Sequence, residues 1–459
     1  CRRARSEARA VADPRDEALA LADTAIALIS AAGATDADAI VEIADRFACE
    51  ARDREVTKIE RSRGRSLRVR AFVGTRHATL ATTDLSRDGV AALAQRVVAA
   101  AAFVGEDPHA GLADVAASDD VCDHDLGTVD LDVAARGDEE KIDEALAMER
   151  AVRAADVRIA NSDGSRVRDS LVSWALANTR GFRGVTQGTQ VSRTAAPVAL
   201  DGENKRIGHY GTAARGWNTA ESAQAVALHA VHRALALVGA RKPATMRVPV
   251  IFERDVAAAV LGDVFGAINA ANVAVGNSWL ADRGGERIGN ERVTIVDDGR
   301  LRSGLGTSPF DGEGTPTRET VVFEGGVLRT YLSDVYWGRR LGIASTGNAS
   351  GSGGVAANNF YLVPGSGTLD DLVASTERGV LVLDTIGFAT ELASGTYSRG
   401  ARGIYIENGE PQYAIDEFTI ASAFAEMLAG IDGIAGDLRF DGTIVSPSFR
   451  IAEMTISGT

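Results

Sequence analysis

From Val248 to the end of the chain, glycine-rich turns separate short runs in which apolar and polar residues alternate. Strict alternation is the pattern of a strand with one buried face, so this half predicts a β-rich domain. Helical periodicity interrupts the alternation at the opening stretch, residues 255–280, and near residues 332–341, 368–376 and 422–429. The pattern therefore limits this half to packed sheets with a few short helices.

The first half of the chain mixes the two periodicities. Helical spacing predicts helices over residues 15–33, 87–104, 141–156 and 219–240. Alternation predicts strands over residues 37–86 and 157–200. Within these strand regions, turns are predicted near Arg63-Gly64, at Gly74 and at the "SDGS" sequence of residues 162–165.

The two patterns together predict an α+β protein with two domains. Residues 1–240 are expected to form an N-terminal α+β domain. Residues 248–459 are expected to form a β-rich C-terminal domain with a few short helices. The stretch around Pro243 is the predicted linker.

Charge and cysteine content exclude several classes of protein. The formal net charge of −14 disfavours binding to nucleic acid or to anionic membranes. Three scattered cysteines are too few for a disulfide framework, which favours a reducing compartment such as the cytoplasm. The most apolar early run, residues 24–35, is shorter than the ~20 residues that a membrane-spanning helix needs. We therefore expect a soluble, cytoplasmic protein.

Metal-binding motifs are weak. The sequence contains neither H-E-x-x-H nor C-x-x-C. His229 and His232 share one face of a predicted helix, and a solvated face is favoured over a metal site. The "DDVCDHDLG" sequence of residues 119–127 offers carboxylates, a thiol and an imidazole, but an acidic loop is the favoured interpretation because neighbouring residues do not easily converge on one ion.

Motifs for other chemistry are similarly incomplete. There is no G-x-S-x-G elbow and no S-x-x-K sequence. The Gly-rich stretch Ser345–Asn359 lacks the Gly-Lys-Ser/Thr ending of a phosphate loop, so a mobile loop along a substrate path is favoured. Four carboxylates could hold a hard cation or act in acid–base chemistry, although turn formation explains them better: Asp297, Asp298, Asp311 and Glu313.

Seven segments, in the order of the family, resemble the TldD/TldE (PmbA) family, whose members were once called modulators of DNA gyrase. They include F-D-x-E-G-x-P-T at residues 310–317, E-x-G-V-L-x-x-Y-L at residues 324–332 and S-T-G-N-A at residues 345–349. Residues 398–421 and 437–459 are similar to the late and terminal segments of the family. Residues 64–86 and 160–170 are also similar, so the resemblance covers nearly the whole chain.

The resemblance also implies what this chain lacks. In the TldD branch, an H-E-x-x-x-H helix and a later cysteine bind zinc, with the glutamate as general base. Here Gly262 and Ala267 stand in place of the histidines, Asp263 stands in place of the glutamate, and Ile444 lies near the expected cysteine. The chain is therefore similar to the TldE branch, and no metal or cofactor is expected in it. Residues 255–280 are then expected to be a core helix, with five buried apolar side chains: Val256, Val260, Leu261, Val264 and Ile268.

By resemblance, the expected function is that of a non-catalytic subunit of a heteromeric zinc metallopeptidase acting on unfolded or leader peptides. Its partner would be a TldD-like subunit that holds the zinc. Two alternatives remain: a self-associating peptide-binding protein, and a stand-alone hydrolase with a carboxylate metal site that could include Asp263. Candidate contacts with peptide or partner are Phe310, Asp311, Glu313, Gly314, Asn348, Arg402 and Glu407.

Overall fold

A computed structural model describes residues 13–114, 125–387 and 390–458. In the first half of the chain, the elements are α1 (Pro14–Ala31), β1 (Asp36–Arg52), β2 (Glu55–Val73), β3 (Arg76–Thr82), α2 (Arg87–Ala102), α3 (Leu131–Ala135), α4 (Asp138–Ala155), β4 (Ile159–Asn178), β5 (Arg183–Asp201), β6 (Asn204–Ile207), β7 (Tyr210–Ala214) and α5 (Ala223–Ala236).

The second half begins with β8 (Met246–Phe252), α6 (Arg254–Ile268) and α7 (Ala270–Ala274). It continues with β9 (Ile295–Asp298), β10 (Glu319–Glu324), β11 (Val327–Leu328), α8 (Val335–Leu341), β12 (Phe360–Leu362), α9 (Leu369–Ala374), β13 (Arg378–Ile386), β14 (Thr390–Glu391), β15 (Thr396–Glu407), β16 (Glu410–Ala423), α10 (Phe424–Gly430), β17 (Ile431–Ile434), β18 (Ile444–Val445) and β19 (Phe449–Ser457). The predicted α+β class and the three short late helices are confirmed.

The strands of the first half form one sheet in the order β3-β2-β1-β4-β5-β6, with β7 also paired to β5. The turn predicted at Arg63-Gly64 is wrong, because β2 continues through both residues. The chain instead reverses at Asp53 and Arg54, which both have positive φ, 51° and 68°. Glycine adopts extended backbone as readily as a turn, so its presence alone did not fix the position of the reversal.

The hairpin predicted at residues 162–165 is also wrong, since β4 runs through them. Ser162 and Ser165 are buried, and their hydroxyls donate to Glu149 Oε2 at 3.0 and 2.9 Å. Gly164 has a φ of +104°, so the strand is locally irregular but is not reversed. Hydrogen bonds to a buried carboxylate therefore prevailed over the turn preference of the four residues.

The described residues divide into two compact units. The first contains residues 13–45, 63–114 and 172–187, with α1 packed on α2 over a core of small apolar side chains. The second contains residues 46–62, 125–171, 188–387 and 390–458. The domain boundary predicted between residues 240 and 248 is not tested by this division and stays a prediction.

In the second half of the chain, five strands close into a ring. The order is β13-β8-β19-β16-β15, and β13 pairs with β15 as well as with β8. β14 and β17 attach to β15 and β19, and a smaller sheet has the order β11-β10-β9-β12-β18. Helix α6 packs against β13 of the ring and against β12 and β18 of the smaller sheet.

Helix α6 is the core helix that the sequence predicts. Glu253 caps its first turn by accepting the Asp255 N–H at 3.1 Å. The five apolar side chains predicted to be buried are all buried, and they belong to the largest apolar cluster of the described residues. Among the described residues, no helix is long and apolar enough to cross a membrane.

The packing of the ring can be tested at Gly403 of β15. A Cβ at Gly403 of β15 would lie 2.1 Å from the Leu381 carbonyl oxygen, whereas one at Gly64 of β2 would have no described atom within 4 Å. We expect Gly403→Ala to lower the free energy of unfolding by about 1–3 kcal/mol, because backbone must move to admit the methyl group. The matched Gly64→Ala variant should stay within about 0.5 kcal/mol of wild type in urea unfolding. Equal stability of the two variants would contradict this packing.

Candidate functional site

Three positions without donor atoms lie on two elements that pack against each other, α6 and β18. Gly262 and Ala267 lie on α6, and Ile444 begins β18. Ala267 is completely buried, while Ile444 is partly buried against the main apolar cluster. No described atom lies within 4 Å of the point where a Cβ of Gly262 would stand. The helix and the strand that carry these three positions are both present, but the residues at the positions have only a hydrogen atom or a hydrocarbon side chain.

Asp263, the fourth position, is engaged in an ion pair. Arg399 Nη2 on β15 donates to Asp263 Oδ2 at 2.7 Å and to Oδ1 at 3.0 Å. The Thr390 hydroxyl donates to Oδ2 at 3.1 Å. Burial raises the pKa of Asp263, and the charge of Arg399 opposes that rise. The carboxylate is therefore held by a guanidinium and a hydroxyl.

Tyr397 lies on the same strand as Arg399, and both carry buried polar atoms without a hydrogen-bond partner among the described residues. These atoms are the Tyr397 hydroxyl and Arg399 Nε. The Arg399 guanidinium carbon is 5.6 Å from the centre of the Tyr397 ring. Burial raises the pKa of Tyr397, so its hydroxyl is protonated at neutral pH. The carboxylate of Asp263 is thus already neutralised by Arg399, and the two remaining unpartnered atoms include one N–H donor, which does not bind a metal cation.

These residues do not fit a zinc ion. Zinc sites use imidazole, thiolate and carboxylate donors, usually four around the ion. The sequence has no histidine or cysteine after His232, and the single carboxylate at this place is paired with Arg399. Within residues 13–114, 125–387 and 390–458, no group of three His, Cys, Asp or Glu side chains could hold a metal. No metal-dependent step can be assigned to the α6 position.

The carboxylates that might have formed a cation site organise loops. Asp311 accepts the N–H groups of Glu313, Thr315 and Ala349, each at 2.9 Å. Glu313 accepts the Val335 N–H at 2.9 Å. Burial and the charge of Glu313 raise the pKa of Asp311 to about 7. Their oxygens are directed at backbone N–H groups, in agreement with turn formation.

Asp297 organises the loop that follows S-T-G-N-A. Its Oδ2 accepts the Asn348 and Asn358 side-chain amides at 2.7 and 3.0 Å, and its Oδ1 accepts the Asn358 N–H at 2.9 Å. Burial raises the pKa of Asp297 to about 6. Its neighbour Asp298 accepts the Arg300 N–H at 2.8 Å in a turn. Residues 345–359 are therefore held by several hydrogen bonds to Asp297, in contrast to the mobile loop that their composition suggests.

The candidate contact residues fall into two groups. Phe310, Asp311, Glu313, Gly314 and Asn348 are buried together in this loop framework. The other two lie on β15, where Arg402 is partly exposed and pairs with Asp384 and Asp416, and Glu407 is exposed. The structure brings the first five together but leaves their side chains little surface for a ligand.

Sequence reasoning missed a cavity of about 670 Å³ at the start of α6. Its polar wall is formed by Tyr210, His229, His232, Arg233 and Arg254, and its apolar wall comes from α9, β13 and β15. The Tyr210 hydroxyl donates to Glu221 at 2.7 Å and accepts from Arg254 Nη2 at 3.0 Å. His229 Nδ1 lies 3.2 Å from Glu221. The pair of exposed histidines on α5 was the one signal of this cavity in the sequence.

The structure describes only residues 125–127 of the acidic sequence at residues 119–127. Residues 119–124 lie outside the described residues. Asp125, which follows them, forms an exposed ion pair with Arg302 at 3.1 Å. The interpretation of this stretch as an acidic loop stays a prediction.

Family models match most of the chain. The PmbA/TldA metallopeptidase domain 1 matches residues 37–101, the central domain residues 132–238, and the C-terminal domain residues 245–458. The chain therefore belongs to the PmbA/TldD metallopeptidase family.

Individual relatives agree with this assignment. The metalloprotease PmbA homolog of Haemophilus influenzae is 29% identical over 436 residues, covering 95% of this chain and 94% of the relative. Metalloprotease PmbA of Escherichia coli O157:H7 is 28% identical over 434 residues, covering 94% of each. The crystal structure of TldE from Thermococcus kodakarensis is 19% identical and superposes with a TM-score of 0.86 over 95% of this chain and 99% of that one, which shows a shared fold.

The Asp263–Arg399 ion pair gives one test. We expect Arg399→Met to lower the free energy of unfolding by on the order of 3 kcal/mol, because it leaves a largely buried carboxylate without its cation. The matched variant is Arg247→Met on β8, whose pair with Glu453 is exposed, and its cost should be below about 1 kcal/mol. Urea unfolding of both variants measures the difference. A loss for Arg399→Met no larger than that for Arg247→Met would contradict the arrangement.

Asp297 gives a test that depends on pH. Its folded-state pKa of about 6 lies above the usual value of 3.8. Between about pH 4 and 6 the unfolded chain loses this proton while the folded chain keeps it, so stability falls as pH rises. The measured quantity is the difference in unfolding free energy, wild type minus Asp297→Asn. We expect this difference to fall by up to about 1.4 kcal/mol per pH unit in this window and then to level off. A difference that rises or stays constant in urea titrations would contradict the raised pKa.

Proposed function

We propose that this chain is a non-catalytic, TldE-like subunit of a heteromeric zinc metallopeptidase. The proposal depends on one observation about four positions on α6 and β18. Gly262, Ala267 and Ile444 have no donor atoms, and the carboxylate of Asp263 is paired with Arg399. A TldD-like partner would supply the zinc and its general base. The chain would contribute a folded surface that encloses and holds the substrate.

The proposed substrate is an unfolded or leader peptide. An extended peptide is held through backbone groups and side-chain pockets, and neither requires a catalytic residue in the holding subunit. The cavity at the start of α6 combines an apolar wall with charged groups, which suits side chains of an extended peptide. Nucleic acid is disfavoured as a partner because the chain has a net charge of −14.

The stand-alone hydrolase is a weaker candidate. It would need a carboxylate cluster around an ion, but Asp297, Asp311 and Glu313 bind backbone and amide N–H groups. Among the described residues, no group of three His, Cys, Asp or Glu side chains could hold the ion.

The proposal is tested by measuring zinc and peptidase activity together. We expect the purified chain alone to contain almost no zinc by elemental analysis and to cleave no unfolded polypeptide. Co-expression with a TldD-like chain should give a complex with zinc and chelator-sensitive peptidase activity. Close to one zinc per chain, or chelator-sensitive cleavage by this chain alone, would overturn the proposal.

A variant pair then assigns the chemistry within the complex. Asp263→Asn in this chain should leave the turnover number nearly unchanged, because Asp263 is bound to Arg399 and activates no water. Substitution of a zinc-binding histidine in the TldD-like partner should abolish turnover. Loss of turnover in an Asp263→Asn complex that still assembles and keeps its zinc would show that this chain takes part in catalysis.

A further inference from the structure

The first part of β2 is an exposed strand whose outer edge pairs with no other strand of the described residues. Every residue from Thr57 to Arg65 is exposed, although strand side chains alternate between two faces. Within the described residues, β2 has only β1 and β3 as neighbours, and β3 pairs only with Leu67–Val73. Residues 55–66 therefore present one row of backbone N–H and C=O groups to solvent.

Such an edge is usually protected against pairing with another chain by proline, by a bulge or by short length. The sequence of this edge, "EVTKIERSRGRS", has no proline and is longer than a typical strand. At its centre is Ile59, a large apolar side chain that is 51% exposed. Charged residues flank it, and their usual effect is to repel other edges.

The order of these charges, however, is complementary to itself. Lys58 Nζ lies 2.7 Å from Glu60 Oε1, so both side chains stand on one face of the strand with Ile59 between them on the other. In an antiparallel pair related by a two-fold axis at Ile59, Lys58 of each strand faces Glu60 of the other. Ile59 then faces Ile59, and four residues from the axis Glu55 faces Arg63.

When the two-fold axis is moved to a neighbouring charged residue, the strands no longer place opposite charges face to face at the axis. In a two-fold antiparallel pair the axis passes through a residue that faces its own copy. An axis at Lys58 places two ammonium groups opposite each other, and an axis at Glu60 places two carboxylates opposite each other, which is destabilising. An axis at Arg61 opposes two guanidinium groups. Among the axes at residues 58–61, the charges thus favour the register centred on Ile59.

We propose that residues 55–63 of β2 form a symmetric antiparallel pair with the same edge of a second copy of this chain. The pair joins the two N-terminal sheets through backbone hydrogen bonds and buries both Ile59 side chains. The Lys58–Glu60 contact within each strand is exchanged for two contacts between strands. Because the contact within the strand is exposed and weak, little is lost in the exchange. The inference concerns this chain alone and does not depend on the proposed peptidase partner.

Charge reversal in the full chain tests the pairing by sedimentation at several concentrations. We expect a reversible wild-type dimer. Lys58→Glu and Glu60→Lys should each raise its dissociation constant by about tenfold or more, because each puts like charges opposite each other twice. The double variant K58E/E60K should restore the wild-type dissociation constant. An equimolar mixture of the two single variants should form a mixed dimer more tightly than either variant alone.

The control is Arg247→Glu on β8, which reverses an equally exposed charge away from this edge and should leave dimerisation unchanged. Thermal unfolding of each variant checks that it is folded. A wild-type chain that stays monomeric would overturn the proposal. So would a dimer that is insensitive to both single reversals, or a double variant that remains as weak as the single ones.

Discussion

The pairing of β13 with both β8 and β15 determines the geometry of the C-terminal half. With this pairing, five strands close into a ring, so their backbone groups are satisfied without a free edge in the ring. Helix α6 packs against β13 of the ring and against β12 and β18 of the small sheet, within one apolar cluster. Apolar packing against two sheets therefore holds the helix in place.

This packing explains how the helix can lack metal-binding side chains and still keep its structure. Val260 and Val264 are buried in the core, whereas Gly262 lies on the opposite side of the helix, where a Cβ would have no described atom within 4 Å. Ala267 is itself buried, and its methyl group packs in the core. The Asp263–Arg399 pair adds a link between α6 and β15, so a polar contact still connects helix and ring at this place.

The sequence was most informative where structure depends on neighbouring residues. The burial of α6 followed from helical periodicity, and the local contacts of Asp298 and Asp311 followed from the turn preferences of the segments around them. The contacts of Asp297 did not, because its partners Asn348 and Asn358 are 51 and 61 positions away. The missing zinc donors could be identified from the resemblance alone. Arg399 could not be identified as the partner of Asp263, because the two residues are 136 positions apart and only the folded ring brings them together. The cavity at Tyr210 was missed for the same reason, since its walls come from distant elements. The two misplaced turns show that a glycine or a serine pair permits a reversal without requiring one.

The Asp263–Arg399 ion pair also affects how this chain can change during evolution. A histidine gained at position 262 would add a single donor beside a fixed guanidinium, whose charge repels a divalent cation. Histidines at positions 262 and 267, a cysteine near position 444 and the removal of Arg399 would all be needed before an ion could bind. Removing Arg399 first would leave Asp263 unpaired and destabilise the fold. No single one of these changes supplies a set of zinc donors, so selection for metal binding would not favour any of them alone.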